Sequence, residues 1–177
     1  MTPRTLSPIT RRLGVTPRIR ALAGCVPHGT RVFADVGTNH AILPIAVLRA
    51  QRAQHCIATD DSEPALADAL RRLRRVRCTE QVELRHGDGL GPLGADDFDV
   101  LCIAGLGPRT MVGILERGWS RLLDRRVRLV LNPFGGSEVP RAFLAANGCT
   151  LHADLTIAER GRSYTILVAD TLRATPG

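Results

Sequence analysis

Seven short apolar runs alternate with longer amphipathic stretches along the chain. The runs are Arg31–Val36, His55–Thr59, Val82–Arg85, Phe98–Ala104, Val127–Leu131, Thr150–Ile157 and Ser163–Val168. The middle runs are near-continuous Val, Ile, Leu and Cys, the pattern of parallel strands covered on both faces. Helical spacing between the runs predicts helices over Ala41–Ala53, Arg109–Leu123 and Val139–Asn147, the last stopped by Gly148. A further helix begins at Asp61 or Ser62, either of which can cap it, with Pro64 in its first turn. Its residues Leu66, Leu70 and Leu73 share one face, and Arg71, Arg74 and Arg75 lie on the other. Strands alternating with helices make an α/β sheet with helices on both sides.

The last two runs are separated only by the five residues Ala158-Glu159-Arg160-Gly161-Arg162. That is too short for a crossover and suits a hairpin, so the seventh strand is expected to run antiparallel to its neighbours. A seven-stranded, mostly parallel sheet that ends in such a hairpin is the layout of the class I (Rossmann-like) methyltransferase fold. No repeat, low-complexity tract or linker interrupts it, so residues 1–177 read as one domain with a core of about 17–170. Met1–Thr10 and Thr171–Gly177 are expected to fray.

Composition narrows the chemistry. The chain has 177 residues, 44% of them hydrophobic, and a mean hydropathy of +0.01, as expected of one folded domain. Its 24 basic residues are all Arg and outnumber 17 acidic ones, for a net charge of +7 and a pI near 10.3. Without Lys there is no Schiff-base or phosphate-loop lysine. The Arg excess suits a polyanion such as RNA, whose phosphates match the planar guanidinium fork, and it equally describes a well-solvated surface. The five cysteines are odd in number and lack C-x-x-C spacing, so reduced, buried thiols and no metal site are expected. No apolar run has the length of a membrane span and the first residues form no leader, which predicts a cytoplasmic protein with no membrane partner.

The candidate site lies where strands end. Strand one runs into Asp35-Val36-Gly37-Thr38-Asn39-His40 and then a helix. A pyrophosphate cofactor would want more glycines and no carboxylate there. S-adenosylmethionine carries a sulfonium and an ammonium instead of phosphate, so Asp35, Gly37 and Thr38 suit it; alternatively Asp35 caps the following turn. Strand two ends at Asp60-Asp61, 23 residues after Gly37, the spacing at which a carboxylate meets ribose hydroxyls. Asp60 is assigned that role and Asp61 the helix cap, although the two can exchange. Strand three ends at Asp88-Gly89, where Asp88 can accept from an adenine amino group. Ala104 and Gly105 after strand four are small enough to leave room for donor and acceptor to meet. After strand five, Asn132 and Phe134 are candidates for positioning the substrate, Phe134 as a stacking surface or as a core residue. His40 can accept a proton or hold the cofactor loop.

The segment Asp35-Val36-Gly37-Thr38-Asn39-His40-Ala41-Ile42-Leu43-Pro44 resembles the Asp-Ile-Gly-Ser-Asp-His-Ala-Tyr-Leu-Pro motif of the bacterial tRNA (adenine(22)-N(1))-methyltransferases, the TrmK family. Gly87-Asp88-Gly89-Leu90, Ile103-Ala104-Gly105-Leu106-Gly107 and Glu159 through Tyr164-Thr165-Ile166 are similar to three further motifs of that family, in the same order. Arg18 matches an Arg-Leu pair near the family's N-terminus. The resemblance implies a methyltransferase that uses S-adenosyl-L-methionine, held by Asp35, Gly37, Asp60, Asp88 and Gly105, to methylate N1 of an adenine in tRNA. Asn39, Ile42 and Pro108 depart from the motifs, and no counterpart of the family's C-terminal helical extension follows strand seven. A partner chain or self-association is therefore expected to help grip tRNA. The alternatives are a class I methyltransferase acting on a small molecule or protein, and a cofactor-binding module without activity.

Overall fold

A computed structural model describes residues 14–95, 97–123 and 125–171. Seven strands form one sheet: β1 (Thr30–Val36), β2 (Ala53–Asp60), β3 (Val82–His86), β4 (Val100–Ala104), β5 (Arg128–Asn132), β6 (Thr150–Glu159) and β7 (Arg162–Asp170). Their order is β3-β2-β1-β4-β5-β7-β6. The first five pair in parallel, and β7 runs antiparallel to both β5 and β6. The expected fold class and hairpin are both present. β4 starts at Val100 instead of Phe98, because Asp99 turns its carboxylate onto the backbone N–H groups of Arg31 and Val32, both at 2.9 Å.

Alternate residues of the central strands feed two cores. Phe33, Val100, Cys102, Val130, Ile166 and Val168 face one side of the sheet, and Ala34, Val36, Leu101, Ile103, Leu129, Leu131 and Leu167 the other. Burial on both faces is why these runs lack a polar alternation. The helices α1 (Pro17–Cys25), α2 (Ile42–Arg49) and α3 (Glu63–Val76) cover the first face. The second is covered by α4 (Pro108–Gly118), which continues as a 3-10 turn over Trp119–Leu122, and by α5 (Glu138–Ala146).

The helices refine the sequence reading at several points. Helix α1 was not expected, although its start carries a cap signal: the Thr16 hydroxyl accepts from the Ile19 N–H, with Pro17 in the first turn. Helix α2 stops at Arg49, because Gln51 takes a left-handed φ of 53° and Ala53 already pairs with Thr30 in the sheet. Ser62 caps α3 by accepting from the Ala65 N–H at 3.3 Å, which leaves Asp61 outside the cap. On that helix Ala69 and Leu73 are fully buried, while Leu66 and Leu70 are only half-buried.

The segments expected to fray lie outside the described residues, apart from Thr171. Thr171 is buried and ordered: its hydroxyl accepts from the Val127 N–H at 2.9 Å and donates to the Arg125 carbonyl at 2.8 Å. All five cysteines are free thiols, three of them buried. No helix among the described residues is long and apolar enough to cross a membrane.

Candidate functional site

The order of the sheet reverses at β1, where chains cross to β2 on one side and β4 on the other. Such a switch point leaves a crevice at the carboxyl ends of the strands. Here it is a cavity of about 460 Å³ lined by Asp35, Gly37, Thr38, His40, Asp60, Asp61, Ala104, Gly105 and, from α1, Arg18. A second hollow of about 120 Å³ shares Gly37, Asp60, Asp61 and Leu106 with the first and adds Asp88 and Gly89. All nine residues expected to hold the cofactor therefore line one continuous crevice.

Asp35 sits at its floor, buried between Ala58 and Cys102 of the neighbouring strands. Burial pushes its carboxyl up to about 7, opposed by the hydrogen bond that it accepts from the Thr38 hydroxyl at 2.8 Å and reinforced by the charge of Asp60. Asp35 thus secures the turn through Thr38 while its charge remains uncompensated by any cation. Gly37 takes a φ of +72° as the chain leaves the strand, and Asn39 and Ala41 also adopt left-handed backbone. This loop is held by Asp60, which accepts from the Asn39 N–H at 2.8 Å with one oxygen and from the Ser62 N–H at 3.1 Å with the other. Each oxygen keeps a second lone pair, and Asp60 lines the cavity. Asp61 lines both hollows. Asp88 pairs at the surface with Arg117 at 3.0 Å.

Arg18 is the site residue that local pattern marks least. Its Nη1 donates to the Asn132 side-chain oxygen at 2.9 Å, its guanidinium lies 4.9 Å from the centre of the Tyr164 ring, and its backbone N–H donates to Glu159 at 2.8 Å. The buried Nε has no partner. Its signals in the chain were the match to the family's Arg-Leu pair and the Thr16-Pro17 helix start, and neither says what the side chain meets.

The three substrate candidates separate. Asn132 is fully buried, with its Nδ2 donating to the Thr165 carbonyl at 2.7 Å and its oxygen committed to Arg18, so it positions Arg18 instead of touching a substrate. Phe134 is 53% exposed, which excludes the core alternative. His40 makes no backbone bond in the cofactor loop; its Nδ1 lies 3.8 Å from Asp68 of α3. Asp68 also pairs with Arg71, so Arg71 stands two contacts from the cavity and not remote from it, whereas Arg74 and Arg75 are exposed further along the helix.

Residues 15–167 match the methyltransferase domain family. Over 158 residues the chain is 29% identical to the tRNA (adenine(22)-N(1))-methyltransferase of Bacillus subtilis, covering 89% of this chain and 66% of that protein. It thus spans just under two thirds of the length of that relative. The crystal structure of the Bacillus subtilis tRNA methyltransferase TrmK superposes with a TM-score of 0.84 at 30% identity, covering 90% of this chain and 67% of that one. A Streptococcus pneumoniae structure solved in complex with S-adenosyl-L-methionine gives 0.82 at 28% identity, covering 92% and 75%. With a methyltransferase-domain match over 15–167 and 30% identity to TrmK across two thirds of that chain, the protein belongs to the methyltransferase domain family and, within it, to the TrmK family.

Proposed function

We propose that this chain transfers a methyl group from S-adenosyl-L-methionine to N1 of an adenine in tRNA, in the cytoplasm. The observation that carries the reading is the placement of opposite charges in one crevice: Asp35 on the floor and Arg18 across from it. The amino-acid end of the cofactor has an ammonium and a carboxylate, which fit these two groups in turn. Arg18 supports the fit, since its buried Nε lacks an acceptor, and a buried donor without a partner costs about 1–3 kcal/mol. Asp60 has the free lone pairs to accept from a ribose diol, and Asp61 and Asp88 lie where an adenine would continue along the crevice. Four carboxylates make the same crevice hostile to a pyrophosphate.

Bound there, the cofactor supplies an electrophilic methyl group. The chain's own task is to hold that methyl in line with the acceptor nitrogen and to exclude water. An adenine N1 has a free lone pair at neutral pH, so no strong base is required, but N1 lies on the pairing edge and the base must leave its helix first. Phe134 offers an apolar surface for such a base, and His40, turned toward Asp68, can accept a proton at the rim. Asn132 contributes by fixing Arg18.

The test is purified protein with unmodified tRNA and isotopically labelled cofactor, followed by nucleoside analysis. Label in 1-methyladenosine is expected. Label in another nucleoside overturns the choice of N1. No transfer to any RNA, despite cofactor binding, moves the assignment to a small-molecule or protein acceptor or to an inactive module.

A further inference from the structure

Phe134 is the one aromatic residue of the described chain with more than half its surface exposed. Phe33 and Phe98 are buried, Trp119 and Phe143 pack edge to face at 4.9 Å, and Tyr164 is half-buried under Arg18. A single exposed apolar side chain is ordinary on a protein surface, so the position of this ring is what gives it meaning. Here it is held out: the Phe134 N–H donates to the Leu106 carbonyl at 2.7 Å, and Leu106 lines both parts of the crevice. The backbone of Phe134 is therefore fixed against a residue that lines the site. Gly135 follows with a φ of +107°, and nothing lies within 4 Å of where its Cβ would stand, so the chain turns off and leaves space beside the ring.

The opposite wall of that space is Arg162, exposed at the start of β7. Its guanidinium carbon lies 6.0 Å from the centre of the Phe134 ring. That is the outer limit of a direct cation–π contact. It is close to the separation of about 7 Å that two stacked contacts of about 3.5 Å each require. Both walls are planar, one apolar and one cationic, and Arg162 sits on a long side chain that can yield the remaining distance. A planar, electron-rich ring flanked by phosphates matches such a slot, and an unpaired base of RNA is that group.

We propose that Phe134 and Arg162 form a slot that receives the unpaired acceptor base of the RNA, with Phe134 stacking on one face and the Arg162 guanidinium on the other. The proposal rests on the RNA-methylation reading above and assigns it two residues that act on the RNA and not on the cofactor. Stacking tolerates any base, so the slot captures an extruded nucleotide, and the cavity beyond it selects the atom that is methylated.

The test combines steady-state methylation of tRNA with fluorescence of a short unpaired RNA that carries one 2-aminopurine, whose emission falls on stacking. For the wild type, quenching on binding is expected. Phe134→Ala should abolish the quenching and raise KM for tRNA by about tenfold, with cofactor binding by calorimetry unchanged, which also certifies its fold. Phe134→Trp should restore both, and Arg162→Ala should weaken RNA binding more than Arg162→Lys does. Wild-type quenching and KM in Phe134→Ala would overturn the slot while leaving RNA methylation in place. A wild type that quenches yet methylates no RNA would overturn the functional reading and keep the slot.

Discussion

Arg18 and Asn132 lie 114 residues apart in sequence and are joined by a 2.9 Å hydrogen bond from the Arg18 guanidinium to the Asn132 side-chain oxygen. The bond ties helix α1 to the end of β5, and the Tyr164 ring backs the same guanidinium from β7. A cation is thereby delivered to a crevice whose other ionised groups are carboxylates. Removing the charge by Arg18→Ala is expected to weaken binding of S-adenosyl-L-methionine by at least tenfold, as lost charge-assisted bonds do. Asn132→Ala should weaken it less, through a loosened Arg18, and should also cost about 1 kcal/mol of stability through the lost bond to the half-buried Thr165 carbonyl. Calorimetric titration and denaturant unfolding of both variants check the two effects separately.

Asp35 predicts a pH dependence of unusual sign. Its carboxyl is raised to about 7 in the folded chain, mainly by burial, so between pH 4 and 7 the folded state holds a proton that the unfolded state has released. This group's contribution to stability is fully present below pH 4 and is lost as pH rises to 7, at up to about 1.4 kcal/mol per pH unit. Denaturant unfolding of the cofactor-free protein across that range should show the slope, and Asp35→Asn should flatten it. The proposed cofactor is cationic and prefers the ionised form, so its affinity should rise with pH toward 7 and its binding should release protons, measurable as a buffer-dependent heat.

Asp170 has the opposite sign. Burial alone would raise its carboxyl, but hydrogen bonds from Arg128, Arg126 and His152 hold it down to about 2. Its contribution is present above pH 4 and vanishes as pH falls through 2. Asp170→Asn is expected to cost about 2 kcal/mol at neutral pH and progressively less in acid. Parallel unfolding curves for wild type and variant at every pH would refute this. The cluster stands at the end of the sheet remote from the crevice, so cofactor affinity should not change.

The exposed Arg74 and Arg75 of α3 test the electrostatic share of RNA binding. Reversing both to Glu should weaken RNA binding strongly in low salt and flatten the slope of log affinity against log salt by about 1–2. Calorimetry should find cofactor affinity unaltered, because neither residue lines the crevice.

Much of this protein is decided locally. The strands, their parallel sense and the closing hairpin follow from run length, two-sided burial and a connection too short for a crossover, each a property of neighbouring residues; in the structure the strands extend until only Arg160 and Gly161 join them. The carboxylates of Asp35, Asp60 and Asp88 fall at successive strand ends because a parallel sheet returns every strand in the same direction, so spacing along the chain becomes adjacency in the crevice. The order of the sheet, by contrast, places β7 between β5 and β6, and only that placement brings Thr165 to Asn132 and Tyr164 to Arg18. Asn132 read as a substrate contact because its sequence neighbours, Pro133 and Phe134, mark a loop; tertiary packing buried it and gave both ends of its amide partners from other elements. Whether a polar side chain serves a ligand or a neighbouring residue depends on partners distant in sequence, here 33 and 114 residues away, and local pattern carries no record of them.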